Sequence, residues 1–331
     1  MKRYRFGIIL LIIGVIIVVM APIWKWAIAP SFLKLPCDID ITPVYEGTLK
    51  LYVNQEAMTL LPEGKEKIIP IKITRKEKGV PGISDSNTVI VKESVVTTSG
   101  GTIISKFENY YALDRKTSKN VPSHKSNRNR KGYSILLPVG TKKSTYEMWD
   151  DDTETTTKAK FVKELTRDGN KHKRVKLYLF SGKSEATFVK PPIGLPEKLT
   201  GKQIKEIIGK PNLALADNEL FPITYLKKIN AEFSVEPRTG SIVDVPKYSE
   251  VYLVDASTLG MEPIKLASID YSQTDESVRE CIDDSAKYFS MLDIVTLWIP
   301  LIFLVIGLLV LLFSSVVYAR KPASQIEVKQ E

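Results

Sequence analysis

Two apolar runs without a single charge frame this chain and constrain everything between them. Phe6 to Trp24 and Ile294 to Ala319 contain no Asp, Glu, Lys or Arg. A bilayer core takes roughly 20 apolar residues of helix, so each run is long enough to cross one. A secretory leader needs an apolar stretch of only about 7–15 residues, and the first run exceeds it. Ala27-Ile28-Ala29 resembles a cleavage site, but Pro30 follows it directly. The first run is therefore expected to remain as an uncleaved anchor.

Basic residues set the expected orientation, because Lys and Arg beside short spans stay on the cytoplasmic side. Lys2, Arg3 and Arg5 precede the first run, and Arg320, Lys321 and Lys329 follow the second. The sequence thus predicts a two-pass protein of the cell membrane with both termini inside. Trp24 and Trp26 fall at the outer interface, Tyr4 and Tyr318 at the inner one. The expected divisions are a cytoplasmic tail (1–5), a first transmembrane helix (6–26), an extracytoplasmic domain (30–292), a second transmembrane helix (293–319) and a second tail (320–331). The domain's last part, from about 275, reads as a helical stalk, since apolar residues fall on one helical face. Cys37 and Cys281 lie just inside the two ends of the outer region. Outside the cell disulfides persist, which makes the two a candidate bridge, with two free thiols as the alternative.

The region between is expected to be rich in strands. "TLKLYVN", "IIPIKIT", "TVIVKESVVTT", "RVKLYLF" and "SEVYLVD" are short, β-branched and aromatic, and they alternate with period two. The fold class predicted is a membrane-anchored α+β chain: two terminal transmembrane helices around a β-rich domain, a curled sheet or barrel-like core, with a few short helices. One helix is expected at "LTGKQIKEIIGKP", where Thr200 and Gln203 form a capping-box pattern and Gly209 and Pro211 stop it. Another is expected at "TDESVRECIDDSAKYFSML", with Asp275 and Glu276 at its positive end. No Asn-x-Ser/Thr sequon occurs, which favours a prokaryotic membrane.

Two segments echo each other. "ALDRKTSKNV" and "SVEPRTGSIV" each read as a strand, a tight turn and a return strand. Asp114 or Glu236 is placed to accept turn N–H groups, Pro237 presets the first corner, and Gly240 permits a positive φ. The echo is read either as a duplicated hairpin or as convergent turn chemistry.

Reactive chemistry is scarce. His124 and His172, the two histidines, sit in polar turns and are expected to be solvated. That removes most triad schemes, which need a histidine held by a third group. No H-E-x-x-H, paired C-x-x-C or G-x-S-x-G motif occurs. "SGKS" lacks the earlier glycine of a phosphate loop, Leu177 standing there instead. Asp150-Asp151-Asp152 with Glu154 offers oxygen ligands without the spacing of a calcium loop, and reads as a solvated acidic turn. Lys125, Arg128, Arg130 and Lys131 form a basic loop, expected to solubilise or to touch anionic envelope surfaces. No aromatic platform accompanies the charges, so nucleic acid is not an expected partner. Neither cofactor nor metal is expected, and the chain does not read as an enzyme.

A family resemblance rests on several segments together. Gly14-Val15, Ala21-Pro22, Trp26 and Pro30, then Leu33, Pro36 and Asp38, are similar to the opening of the PorA-like porin family. Asp114, Arg115 and Thr117 resemble its Asp-Arg-x-Thr segment. Pro138, Tyr146, Trp149 and Asp150 resemble a second, and Pro237, Thr239 and Gly240 a third. The resemblance spans nearly the whole chain and implies a cell-envelope membrane protein of actinobacterial or archaeal type, with no established catalytic residues. In topology alone the chain also resembles the two-span scavenger receptors, which carry lipid to the membrane. The expected function is binding or transfer of a lipid or other amphiphile by the outer domain, with Tyr110, Tyr111, Phe180 and Tyr252 as aromatic wall or ordinary core. A structural or assembly role and an oligomeric channel, formed through the transmembrane helices, are the alternatives.

Overall fold

The structure is a computed structural model that describes residues 2–54, 59–185, 187–189, 196–257 and 260–319. The expected tail 320–331 and the side chains of Lys2, Arg3, Tyr4 and Tyr318 lie outside this description. The chain begins with helix α1 (Lys2–Ile23), a π turn (Trp24–Ile28) and a 3-10 turn (Ala29–Ser31). Then come β1 (Asp40–Ile41), β2 (Val44–Leu51), β3 (Val53–Asn54), β4 (Thr59–Leu60), β5 (Lys67–Gly79), β6 (Thr88–Ser99) and β7 (Thr102–Asp114). A long connection leads to β8 (Thr145–Asp150), β9 (Thr155–Arg167), β10 (Val175–Lys183), β11 (Thr187–Val189), β12 (Lys198–Thr200) and helix α2 (Gly201–Ile208). The last strands are β13 (Leu220–Pro222), β14 (Tyr225–Val235), β15 (Ile242–Val254) and β16 (Ile264–Gln273). Helix α3 (Asp275–Asp293) continues through a π turn (Ile294–Trp298) into α4 (Ile299–Ala319).

The chain divides into two compact units: residues up to Lys34 together with those from Lys287 onward, and Leu35–Ala286. In the first, α1 and α4 pack side by side through small residues. A Cβ on Gly14 would fall 2.7 Å from Leu311 Cδ2, and one on Gly307 2.6 Å from Val18 Cγ2. Ser314 Oγ donates to the Gly7 carbonyl at 2.7 Å, and Trp24 Nε1 donates to the Val295 carbonyl at 2.8 Å. Close backbone approach and such hydrogen bonds, the contacts that also join apolar helices in lipid, hold the two together. Two helices, Arg5–Ser31 and Asp275–Val317, are long and apolar enough to cross a membrane.

The second unit is built on a 12-stranded antiparallel sheet, ordered β7-β6-β5-β2-β16-β15-β14-β10-β9-β8, with β1 added to β5 and β11 to β14. Register shifts at Thr97/Thr98, Leu179/Phe180, Glu232/Ser234 and Tyr252/Leu253 mark bulges. Bulges bend a strand and raise its twist, so this sheet curls instead of lying flat. The strands are longer than expected: β5, β7, β9 and β15 each run 13 residues. On β5 the apolar inward positions Ile69, Ile71 and Ile73 give way to Arg75 and Glu77, so apolar alternation ended before the strand did.

Helix α2 forms as its sequence predicts. Thr200 Oγ1 accepts from Gln203 N, the Gln203 side chain accepts from Thr200 N, and Gly209 closes the helix at φ +67°. Ile204 and Ile207 are buried with Val53, Leu199, Tyr225, Val254 and Leu266. Two expectations are corrected. Cys37 and Cys281 are free thiols, so the bridge is not formed; Cys37 packs with Leu35, Val89 and Val91, while Cys281 accepts from Gln273 Nε2 at 3.4 Å. His172 is not simply solvated: its Nδ1 lies 3.0 Å from Asp283 Oδ1 on α3, and the same carboxylate accepts from the backbone of Asn170, Lys171 and His172.

Candidate functional site

The curl lines a partly open cavity of about 1050 Å³ within residues 35–286. Its walls follow from register. Ile69, Leu49, Ile269, Glu250 and Ile229 face each other rung by rung across β5, β2, β16, β15 and β14, giving an apolar floor that turns charged at one side. Higher on the same sheet Glu77, Glu93 and Asn109 form another row, across β5, β6 and β7. Tyr45, Tyr271 and Tyr248 line up between them, with ring centroids 5.4 and 4.7 Å apart.

Two charged corners result. In the first, Arg75 Nε lies 2.8 Å from Glu77 Oε1 and 2.5 Å from Glu93 Oε1. Glu93 Oε2 also accepts from Asn109 Nδ2 and from the Tyr111 hydroxyl. Burial, joined by the charge of Glu93 and only partly offset by Arg75, pushes the Glu77 carboxyl up to about 7. Burial also acts to raise Glu93, but Arg75, Asn109 and Tyr111 outweigh it and hold that carboxyl below the usual range. In the second corner the ammonium of Lys227, 1% exposed, lies 2.6 Å from Asp152, 2.9 Å from Glu250 and 3.4 Å from Asp150. Burial disfavours its charge, yet Glu250, Tyr248, Tyr252 and Asp152 outweigh that and raise it above the ordinary lysine range. Tyr248 and Tyr252 donate to the two oxygens of Glu250.

The acidic turn and the basic loop, expected to be solvated, instead join the sheet's two edge strands. Arg130, 5% exposed, donates Nε and Nη2 to the two oxygens of Asp151 at 2.7 and 3.0 Å, and Nη1 to the Tyr110 carbonyl at 2.9 Å. Its guanidinium lies 4.1 Å from the Tyr111 ring centroid. Arg128 donates to the Asp151 carbonyl and Lys125 to that of Ile83, both at 2.8 Å. Trp149 Nε1 donates to Asp151 Oδ1 at 2.8 Å. Lys131 stays exposed. Among the described residues no His, Cys, Asp and Glu group is arranged to hold a metal ion.

The remaining sequence-selected residues shape the scaffold. Asp114 Oδ1 accepts from the N–H of Lys116 and Thr117 and from the Thr117 hydroxyl, while Arg115 Nε donates to the Leu35 carbonyl at 2.7 Å. Glu236 likewise accepts from the N–H of Arg238 and Thr239, after Pro237. The fifth residue is left-handed in both turns, Ser118 at φ 60° and Gly240 at φ 78°. A Cβ on Gly240 would sit 2.0 Å from the Leu137 carbonyl, which explains glycine there. Thr141 Oγ1 donates to Pro138 O, and the buried Tyr146 hydroxyl accepts from Lys142 N. Tyr111 and Tyr252 line the cavity, whereas Phe180 is packed in a core with Tyr146 and Phe233. Sequence reading missed Arg75, Glu77, Glu93, Lys227 and Glu250. The available signal was charge at inward positions of otherwise alternating strands.

A curled antiparallel domain around a mostly apolar cavity with two charged corners, on a chain with two helices long and apolar enough to cross a membrane, is the architecture these residues form. The chain belongs to the Porin PorA family, whose model matches residues 6–316. That membership suggests a porin-like or envelope protein at a membrane. Among curated proteins, none matches this chain.

Proposed function

We propose that residues 35–286 are a binding module that holds a lipid or other amphiphile inside the curled sheet, and that the module has no catalytic role. The observation that carries this is the cavity of about 1050 Å³ itself, with an apolar floor between two ionised corners. Ligand pockets typically measure about 300–1000 Å³ and combine apolar walls with a few placed polar groups. An amphiphile matches such a wall, its chain on Leu49, Ile69 and Ile269 and its head at a corner. In this reading α1 and α4 cross the bilayer and the basic flanks of the chain keep both termini cytoplasmic, which puts the β domain on the outer face.

The test is to purify the full-length protein in mild detergent, extract it with solvent and identify bound lipid by mass spectrometry. A stoichiometric species that survives washing is expected; loosely held bulk lipid alone would move the reading to an assembly role. A second reading, an oligomeric channel, is favoured by the family's description as a porin. It predicts discrete conductance steps from the purified protein in a planar bilayer, which the binding reading does not.

A further inference from the structure

We propose that the amphiphile held in this cavity carries a positively charged, amine-type head group; the proposal rests on the cavity being a ligand site. The chain as a whole is basic, with a formal charge of +9, yet its interior is acidic. In the first corner one guanidinium, Arg75, is shared by Glu77 and Glu93. In the second one ammonium, Lys227, serves Asp150, Asp152 and Glu250. All of these residues line the cavity. The neighbouring pair, Arg130 with Asp151, is balanced and adds no excess.

Carboxylates therefore outnumber their cations in both corners; Glu77, Glu93, Asp150 and Glu250 lie where water screens poorly, while Asp152 is half-exposed. A cationic head entering between them relieves like-charge repulsion, whereas an anionic head must be desolvated against charges of its own sign. The floor delivers the head to the right place, because Ile69, Leu49 and Ile269 share one rung with Glu250. The charged and titratable groups facing Glu77 are Arg75 on its own strand, Glu93 on β6, Tyr45 on β2 and Cys281 on α3. Arg75 is the one cation among them, and Glu77 shares it with Glu93. Since the Glu77 carboxyl titrates at about 7, an amine that stays charged binds more tightly as pH rises past neutrality.

The test incubates full-length protein with an equimolar mixture of dodecylamine, dodecanol and dodecanoate and counts the retained species by native mass spectrometry. Dodecylamine is expected to exceed dodecanoate by about tenfold or more, the size of one well-placed charge interaction. The margin should widen from about pH 6 to about pH 8, and Glu77→Gln should remove that widening. Asp152→Asn, at a half-exposed position where Lys227 keeps Asp150 and Glu250, should narrow the margin at every pH. Dodecanoate retained as well as dodecylamine overturns the head-group inference and leaves the cavity reading standing. Retention of none of the three at one molecule per protein overturns the cavity reading and this inference with it.

Discussion

The two charged corners reach similar chemistry by different routes. At the Arg75 corner the partners come from one hairpin: Glu77 lies on the same strand and Glu93 is its cross-strand partner on β6. At the Lys227 corner, Glu250 arrives from the neighbouring strand β15, but Asp150 and Asp152 belong to the β8–β9 turn, separated from β14 in the sheet by β9 and β10. The first corner can form as soon as β5 and β6 pair. The second exists only once the sheet has curled, and Asp151 of the same turn then ties to Arg130 and Tyr111 on the far edge. Local register makes one corner, and tertiary closure makes the other.

The sharpest way to break this comparison is Lys227→Met. It strands Asp150 and Glu250 inside the cavity, and removing one partner of a buried ionic group costs about 3–5 kcal/mol. Denaturant unfolding should record that loss, and adding Glu250→Gln should recover part of it. Arg130→Gln comes next. It removes the charged tie between the acidic turn and the β7 side, leaving the Tyr111 hydrogen bond and Lys227 in place, and the loss of a buried two-pronged charge pair should cost about 2–4 kcal/mol. If unfolding midpoints then fall while the Arg75 corner keeps its titration, the two corners are independent as described.

Glu77→Gln tests the first corner with the opposite sign. The folded carboxyl titrates at about 7 against an ordinary 4.5. A raised carboxyl contributes stability that is fully present below the unfolded value and lost as pH rises through the folded one. Wild type should therefore lose about 2–3 kcal/mol relative to Glu77→Gln between about pH 4.5 and about pH 8. Thermal melts across that range measure it, and parallel curves for the two proteins would contradict the burial of a strained carboxylate. The smallest effect expected is at the scaffold turn: Asp114→Ala removes a cap on two N–H groups and should cost about 1 kcal/mol.

Features set by short-range physics were legible in the sequence. Thr200, Gln203 and Gly209 announce α2 because a capping box is complete within four residues of backbone. Asp114 and Glu236 announce their turns for the same reason. The charge-free runs announce the membrane-length helices, since length and composition alone decide them. The cavity was not legible, because its ion pairs depend on which distant strands meet. Nothing near Lys227 in "YLKKINAEF" says that a turn 75 residues earlier will close on it. Arg130 was misread for the same reason: within "SNRNRKGY" it looks solvated, and only the closed sheet gives it Asp151. The strand lengths were underestimated where inward positions became polar, and those positions are the ones that line the site.

The most direct test of amphiphile binding compares wild type with Ala267→Trp, a substitution that fills the cavity floor between Leu51 and Tyr252 and leaves every charged side chain of the two corners in place. Both full-length proteins are purified identically, extracted with solvent and assayed for bound lipid by mass spectrometry. The binding account predicts a stoichiometric amphiphile on wild type and its loss from a folded Ala267→Trp. Equal lipid on both proteins, or no retained species on wild type, would contradict it.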